Sequence, residues 1–492
     1  MAMKKNIIYG LLVAVGMMSS CSDFTDIQPK GTNLLNTTDQ LALLFNNEIT
    51  PSFTAMSNVG GSTIYTYNDV PTMINQPNKS LSAYYFSFDD SPEALTRREI
   101  LTTSDGYYTD LFSYVGKIAN PVLSQLPSAS GDEATKNALK AEALTLRAYS
   151  EFMLLQKFAK AYNPATAAKD PGIAYLKEDA DILSSQPKLT VQECYDNCLK
   201  DINDAIALNA MPAIQPTVFR LNKASMFAVK ALVCMSMQKY AEAEEAAKQA
   251  LELNGNLYDY YAHATEKQSM GGYSYLVSTV AGDKNPEAYF FTPYLVMYSW
   301  VQPDVASQFE KGYATYSLFD SMNKRYKGIG KVMPAYAEFE NYGAKIGLAG
   351  WDAGFDVENQ INTSGLSSAM MYLLVVECEI RNGSIDNAMT YLDKLRKARL
   401  DPSTFTPLKG TVTSKEEAIK AYKRDYVAEN IWTGWNFIAR KRWNVDPDWQ
   451  ETLTRKIGDK TYTLSPKSQL WVFPFPSPVR ENNPNMTSNT ND

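Results

Sequence analysis

The stretch that decides the fold reads DEATKNALKAEALTLRAYSEFMLLQKFAKA, from Asp132 to Ala161. Apolar side chains recur in it at steps of three and four residues, at Leu139, Ala143, Leu146, Ala148, Phe152, Leu155 and Phe158. This spacing places an apolar stripe along one face of a helix, because about 3.6 residues complete each turn. The sequence therefore predicts a long amphipathic helix over these residues.

Similar patterns predict further helices before and after this one. Single helices are expected at Asp110–Leu126, Thr190–Leu208 and Ser414–Ala428. Thr190 stands three residues before Glu193, and Ser414 stands three before Glu417, a spacing typical of a capping box at a helix start. Two helical hairpins are expected, Asn222–Met237 with Tyr240–Leu253 and Ser364–Arg381 with Ile385–Arg399.

The two hairpins resemble tetratricopeptide units, whose repeat is about 34 residues long. That repeat favours small or aromatic residues at fixed positions. In the first hairpin these positions hold Ala231, Tyr240, Ala243 and Ala250, and in the second they hold Val376, Ile385 and Ala388. Small residues are needed there because the two helices cross closely. These matches favour a mainly helical fold of paired antiparallel helices in a superhelical stack.

The helical period is lost between the hairpins, over residues 256–363. This stretch contains Gly271-Gly272, several prolines, many tyrosines, and both Trp300 and Trp351. A long insertion without regular pattern is usually functional or disordered, and its aromatic content argues against disorder. We therefore expect a loop-rich, ligand-binding insertion. Residues 52–92 and the chain after Val445 are also predicted to be loops.

The N-terminus has the pattern of a lipoprotein signal peptide. Lys4 and Lys5 precede an apolar run of 12 residues, Ile7 to Met18, which is shorter than the ~20 residues of a membrane span. The following Ser19-Ser20-Cys21 resembles a lipobox, in which Cys21 becomes the acylated first residue of the mature chain. The alternative is a plain signal peptide with an incidental cysteine.

Composition excludes several classes of protein. The net charge of −7 disfavours nucleic acid as a partner, since an acidic surface repels phosphates. The only histidine, His263, is expected in a loop, and its isolation removes most catalytic triads and zinc hydrolases. Nothing in the sequence indicates a cofactor or metal.

The remaining cysteines are expected to be buried free thiols, at Cys194, Cys198, Cys234 and Cys378.

Three segments in the same chain order resemble the SusD/RagB family. The leader reads DFTDIQPKG at Asp23–Gly31, the long helix contains KAEALTLRAY at Lys140–Tyr149, and the closing segment LWVFPFP at Leu470–Pro476 leads to Asn483-Pro484-Asn485. The resemblance covers nearly the whole chain. The segment ENIWTGW at Glu429–Trp435 matches the family pattern loosely, and the tail lacks the usual Gln-Asn-Pro ending, which indicates a diverged branch.

The resemblance implies a non-catalytic lipoprotein, anchored in the outer membrane and facing the exterior. Such proteins have about four tetratricopeptide-like helical pairs. They sit as a lid over a TonB-dependent, SusC-like transporter and capture glycans, or peptides in some branches, before import. The expected organisation is a signal peptide over 1–20 and a mature chain over 21–492, divided into 37–109 (loop-rich), 110–255 (helical hairpins), 256–363 (insertion), 364–430 (helical pairs) and 431–492 (C-terminal segment).

Candidate ligand-binding residues are aromatic side chains beside polar ones, because sugar rings stack on aromatic faces and their hydroxyls need polar partners. The candidates are Trp300 with Tyr298, Trp351 with Asp352, Tyr67 with Asp69, and Tyr84. For each of them, ordinary packing is the alternative. The tryptophans expected in the core are Trp432, Trp435, Trp443 and Trp471.

Two other functions compete with glycan capture. A glycoside hydrolase needs two carboxylates across the scissile bond, and Asp352 and Asp356 lie beside Trp351. Nothing in the sequence sets the separation of these carboxylates. A tetratricopeptide adaptor for protein peptides is the third reading, and the long aromatic insertion argues against it.

Overall fold

The computed structural model describes residues 35–47, 50–61, 63–66, 68–181, 184–259, 267–270, 273–276, 285–294, 299–301, 348, 352–354, 361–431 and 433–491. Helices dominate these residues, as predicted. In chain order they are α1 (Thr38–Leu43), α2 (Thr54–Gly60), α3 (Val70–Asn75), α4 (Leu81–Phe86), α5 (Pro92–Leu101), α6 (Gly106–Ser113), α7 (Asn120–Gln125), α8 (Glu133–Phe158), α9 (Val191–Ala207), α10 (Lys223–Ser236), α11 (Tyr240–Leu253), α12 (Ser368–Asn382), α13 (Ile385–Lys397), α14 (Lys415–Glu429), α15 (Trp435–Trp443) and α16 (Ser477–Asn482).

Helix α8 is the predicted long helix, and it lies at the centre of the molecule. The Asp132 side chain caps it by accepting a hydrogen bond from the Thr135 backbone N–H at 2.9 Å. From Ala141 to Phe158 every residue of α8 is buried, including the positions outside the predicted apolar stripe. The helix is therefore covered on all sides, where the sequence pattern predicted one buried face.

The long helices pack in chain order. Helix α8 contacts α9, and the contacts continue from α9 to α10, α10 to α11, α11 to α12 and α12 to α13. Both predicted capping boxes are present, at Thr190 and Ser414. Ala243 and Ala250 of α11 are fully buried, so their small side chains let α10 and α11 approach closely. The predicted hairpins are confirmed as helix pairs, with α12 beginning at Ser368 instead of Ser364.

The described strands are short. They are β1 (Thr63–Ile64), β2 (Lys267–Met270), β3 (Tyr273–Leu276), β4 (Ala288–Phe290), β5 (Pro293–Tyr294), β6 (Ser299–Val301), β7 (Asp352–Gly354), β8 (Ile361–Asn362), β9 (Leu366–Ser367), β10 (Leu453–Ile457) and β11 (Lys460–Leu464). Two antiparallel pairs, β4 with β9 and β5 with β8, join the two segments that flank residues 295–360 of the insertion. We call residues 285–294 and 361–367 the insertion stem.

Side-chain hydrogen bonds reinforce the insertion stem. The Asn362 carbonyl oxygen accepts from the backbone N–H of Thr292 at 3.0 Å, and its amide donates to the Phe290 carbonyl at 3.0 Å. The Thr292 hydroxyl accepts from the Ser364 N–H at 3.0 Å. These buried and half-buried groups fix the two ends of the segment 295–360 side by side, next to the start of α12.

The segment 52–92 differs from its prediction as a loop. It contains α2, α3, α4 and the start of α5, and side chains of Asp69, Ser80 and Ser91 cap the last three. These helices are six to ten residues long, so the apolar period repeats too few times to be recognised. After Val445, where loops were predicted, β10 and β11 form a hairpin that turns at Gly458 with φ +58°.

The predicted core residues are largely confirmed. Trp435, Trp443 and Trp471 are at most 2% exposed, and Trp432 lies outside the described residues. Cys194, Cys198, Cys234 and Cys378 are buried free thiols, as predicted. Among the described helices, none has both the length and the apolar character that crossing a bilayer requires.

We expect Gly60→Ala to lower the free energy of unfolding by about 1–3 kcal/mol, the usual effect of overpacking a core. A Cβ atom at Gly60 would lie 2.5 Å from Cζ3 of Trp471 and 2.9 Å from Cδ2 of Phe437. Urea denaturation would measure the change. The control is Gly106→Ala, whose Cβ would meet Ser52 Cβ at an ordinary 3.6 Å. Equal stability of the two variants would contradict the close packing of α2 on Trp471.

Candidate functional site

A three-stranded antiparallel sheet brings together three segments that are distant in the sequence. Its order is β1-β6-β7, with Ile64 paired to Trp300 and Trp300 paired to Ala353. Asp352 pairs with Val301. Paired residues of antiparallel strands lie about 4.5–5.5 Å apart at their Cα atoms. The backbones of two predicted candidates, Trp300 and Asp352, are therefore close neighbours.

The helical body holds the first strand of this sheet. Thr63 and Ile64 are fully buried, and the Tyr65 backbone N–H donates to the Asn58 side-chain oxygen of α2 at 2.9 Å. The Tyr65 ring meets Phe53 edge-on, with 5.7 Å between the ring centroids. Strand β1 is thus fixed to α2, β6 of the insertion pairs with β1, and β7 pairs with β6.

The structure places the other predicted candidates in different settings. Asp69 caps α3: its carboxylate accepts from the Thr72 N–H at 3.1 Å and from the Thr72 hydroxyl at 2.7 Å. Tyr84 is 7% exposed, and the Lys79 ammonium lies 5.5 Å from its ring centroid. Both side chains therefore have structural partners. Tyr67, Tyr298, Trp351 and the anchor candidate Cys21 lie outside the described residues.

Lys79 also sets the local electrostatics beside Tyr84. Its ammonium forms an ion pair with Asp89 at 2.8 Å. Partial burial opposes ionisation of Asp89, but the hydrogen bonds from Lys79 and Ser91 outweigh it and lower the pKa of that carboxyl. Both partners are about one quarter exposed, so solvent screens the pair and its contribution to stability is small.

Two cavities lie away from the sheet, and no predicted candidate lines either of them. One, of about 500 Å³, is bounded by α6, residues near Ala174 and α16, with the stacked rings of Tyr108 and Phe112 on one wall. The other, of about 320 Å³, lies beside the end of α15. Their walls combine residues far apart in the sequence, so no local pattern could have indicated them.

Solved structures with the same fold come from Bacteroides. A SusD superfamily protein from Bacteroides thetaiotaomicron aligns with a TM-score of 0.61 and 15% identity, covering 92% of this chain and 99% of that chain. A SusD-like carbohydrate binding protein from Bacteroides vulgatus aligns at 0.58 and 14%, covering 92% and 97%. One from Bacteroides fragilis aligns at 0.58 and 13%, covering 92% and 99%. The chain therefore has the fold of the SusD superfamily.

The family match agrees with the fold. Residues 23–234 match the SusD-like family described as starch-binding and associating with the outer membrane. A comparison with curated proteins gives no significant match. The resemblance to the SusD-like family predicted from the sequence is thus confirmed over residues 23–234.

Proposed function

We propose that this protein captures glycans at the β1-β6-β7 sheet and its adjoining loops. The observation that carries the proposal is the strand register, which sets Trp300 opposite Ile64 and Ala353 and next to Asp352. An aromatic ring stacks on the apolar face of a sugar, and a carboxylate accepts hydrogen bonds from its hydroxyls. Asp352 is paired with Val301, so Trp300 and Asp352 lie on opposite faces of the sheet, and each would contact the glycan together with the loop that adjoins its own face.

The captured glycan is passed to a partner transporter. Cys21 anchors the chain by acylation to the outer face of the outer membrane, and residues 22–36 act as a tether. A SusC-like TonB-dependent transporter receives the ligand while the helical stack docks on it. The family description, which joins starch binding to outer-membrane association, supports this part of the proposal.

Binding without hydrolysis is the expected activity. Each sugar exchanges good contacts with water for similar contacts with protein, so affinity per site is weak and depends on preformed geometry. The sheet supports such geometry because β1 is fixed to the helical body through Asn58. Purified protein incubated with polysaccharide should retard migration in an affinity gel and release no reducing sugar.

We expect Trp300→Ala to weaken binding of a retained polysaccharide roughly tenfold or more, equivalent to a loss of about 1.4 kcal/mol. Affinity electrophoresis would identify the ligand, and calorimetry would measure the loss. The matched control is Phe112→Ala, which removes an aromatic ring 38% exposed on α6, away from the sheet. It should leave binding unchanged.

Asp352→Ala and Trp351→Ala extend the test to the rest of the site. Each should weaken binding of the same polysaccharide. If all three variants bind as tightly as the wild-type protein, the glycan site lies elsewhere. If the wild-type protein retains no polysaccharide and instead binds peptides, the RagB-like alternative replaces glycan capture. Release of reducing sugar would identify a glycoside hydrolase.

A further inference from the structure

The cavity of about 500 Å³ beside α6 has a largely apolar wall. Its apolar lining comes from α6, from the segment around Leu176 and from α16 with the residues before it. None of its lining residues belongs to the β1-β6-β7 sheet. Its volume falls within the range of about 300–1,000 Å³ that is typical of small-molecule sites, which are mostly apolar with a few polar groups.

A series of packed aromatic rings ends at this cavity. Phe158 and Phe475 stack in the core, with 4.9 Å between their ring centroids and 14° between their planes. The Tyr108 ring meets Phe158 edge-on at 5.5 Å, and Phe112 stacks on Tyr108 at 5.7 Å and 13°. Phe112 is 38% exposed and lines the cavity. One more ring placed on Phe112 would continue the series in the offset-stacked arrangement that aromatic pairs prefer.

The helix leaves part of the Phe112 ring uncovered. Helix α6 continues into a π-helical turn, Tyr114–Ala119, before α7 begins. Gly116 lies four residues beyond Phe112, and a Cβ atom there would be 3.7 Å from Cε1 of Phe112. A larger side chain at position 116 would therefore pack on this ring, as neighbours four residues apart on a helix do. Turns of the π type are rare and often occur at functional sites.

The charged side chains that line the cavity leave one positive charge uncompensated. Among the described residues they are Asp105 and Lys117. Asp105 is neutralised by Lys157 through an ion pair of 2.6 Å. Lys117 is exposed and forms no ion pair in the described part of the chain. Asp110 interacts with it electrostatically, but it lies beyond ion-pair distance and does not line the cavity. The cavity thus combines an open aromatic face with an accessible ammonium group.

We propose that this cavity binds an aromatic carboxylate, with its ring stacked on Phe112 and its carboxylate at Lys117. A neutral sugar would leave Lys117 without a counter-charge, and its hydroxyls would lack partners along Leu176 and Val479. A saturated acid of the same size lacks the flat ring, and a neutral aromatic molecule lacks the charge. The site is separate from the proposed glycan site, so Trp300→Ala leaves it intact.

The test is calorimetric titration of the purified protein with 2-naphthoate, its saturated analogue decahydro-2-naphthoate and the neutral 2-naphthamide. The first analogue removes the aromatic ring and the second removes the charge. The naphthoate should bind about threefold or more tightly than either analogue, because stacking and an exposed ion pair each make a modest contribution. Added salt should reduce its advantage over the amide and leave its advantage over the saturated acid.

Two variants separate the roles of the ring and the charge. Phe112→Leu keeps an apolar side chain but removes the ring, so the naphthoate should lose its advantage over the saturated analogue. Lys117→Met should remove its advantage over the amide. The matched controls are Phe219→Leu and Lys420→Met, the same changes at positions that do not line the cavity. Both controls should bind the naphthoate like the wild-type protein.

Urea denaturation shows whether each variant keeps its fold. Phe112 and Lys117 are exposed, so their replacement should alter stability little. The proposal is overturned if 2-naphthoate does not bind at millimolar concentration, if either analogue binds as tightly, or if folded Phe112→Leu binds it like the wild-type protein. Phe112→Leu should still retain polysaccharide, and failure of the Trp300 experiment alone bears only on the proposed glycan site.

Discussion

Replacing Glu377 with glutamine is expected to lower the free energy of unfolding by about 3–5 kcal/mol, the usual effect of removing one partner from a buried ion pair. The Glu377 carboxylate on α12 is fully buried. It accepts from Arg442 Nη2 at 2.7 Å and Arg381 Nε at 2.9 Å, and also from the Tyr422 hydroxyl at 2.9 Å and Trp443 Nε1 at 3.2 Å. One carboxylate therefore joins α12, α14 and α15.

The loss of stability caused by Glu377→Gln should depend on pH. Burial alone would raise the pKa of Glu377, but Arg442 and Arg381 outweigh burial and hold that pKa well below its usual range. A carboxylate with a depressed folded-state pKa contributes stability that is present above its unfolded pKa of about 4.3 and is lost as the pH falls further. The difference between wild-type protein and variant should therefore shrink in acid.

Urea denaturation at neutral pH and at successively lower pH below 4.3 would measure this difference. The matched control is Glu245→Gln, the same change at an exposed position of α11, which should alter stability by less than about 0.5 kcal/mol. If Glu377→Gln is as stable as Glu245→Gln at neutral pH, the charge of Glu377 is not needed to compensate the buried charges of Arg381 and Arg442.

Arg399→Met is expected to cost a similar ~3–5 kcal/mol and to loosen the insertion as well. Its guanidinium is fully buried just beyond α13. It contacts Glu287 in the insertion stem at 2.9 Å, Glu429 at the end of α14 at 2.7 Å, and the Tyr258 carbonyl at 2.9 Å. Without Arg399, Glu287 and Glu429 would repel each other inside the protein.

Two measurements distinguish a local loosening of the insertion stem from a loss of stability of the whole fold. Urea denaturation gives the overall loss, and limited proteolysis should cut the variant within the insertion before it cuts the helices. Adding Glu287→Gln and Glu429→Gln should recover part of the stability, because the repulsion between the two carboxylates is then removed. Arg97→Met, a partly exposed position on α5, is the control. Unchanged proteolysis of Arg399→Met would show that the ion pair does not hold the stem.

The features predicted from the sequence are those with local causes. The long helix, the capping boxes at Thr190 and Ser414, and the helical hairpins follow from residues within a few positions of one another. The buried cysteines, and Trp435 and Trp443 of α15, follow from apolar neighbours in the same helix. The short helices of 52–92 are local too, but one or two turns carry too few repeats of the pattern.

The features that escaped prediction join distant segments. Glu377 meets Tyr422 and Arg442 only because three helices converge, and no spacing in the sequence indicates that contact. Trp300 and Asp352 were predicted separately, as members of aromatic loops. Their positions on the paired strands β6 and β7, with β6 paired in turn to β1, needed the register of the sheet.

The insertion stem has an evolutionary consequence. Its strands and the Asn362 hydrogen bonds join the ends of the segment 295–360 to each other. The entropy of closing a flexible loop grows only logarithmically, so doubling the length between fixed ends costs about 0.6 kcal/mol. Lineages carrying this frame can therefore lengthen, shorten or replace the enclosed segment at little thermodynamic cost. A closed stem therefore lets the enclosed segment vary while the helices stay the same.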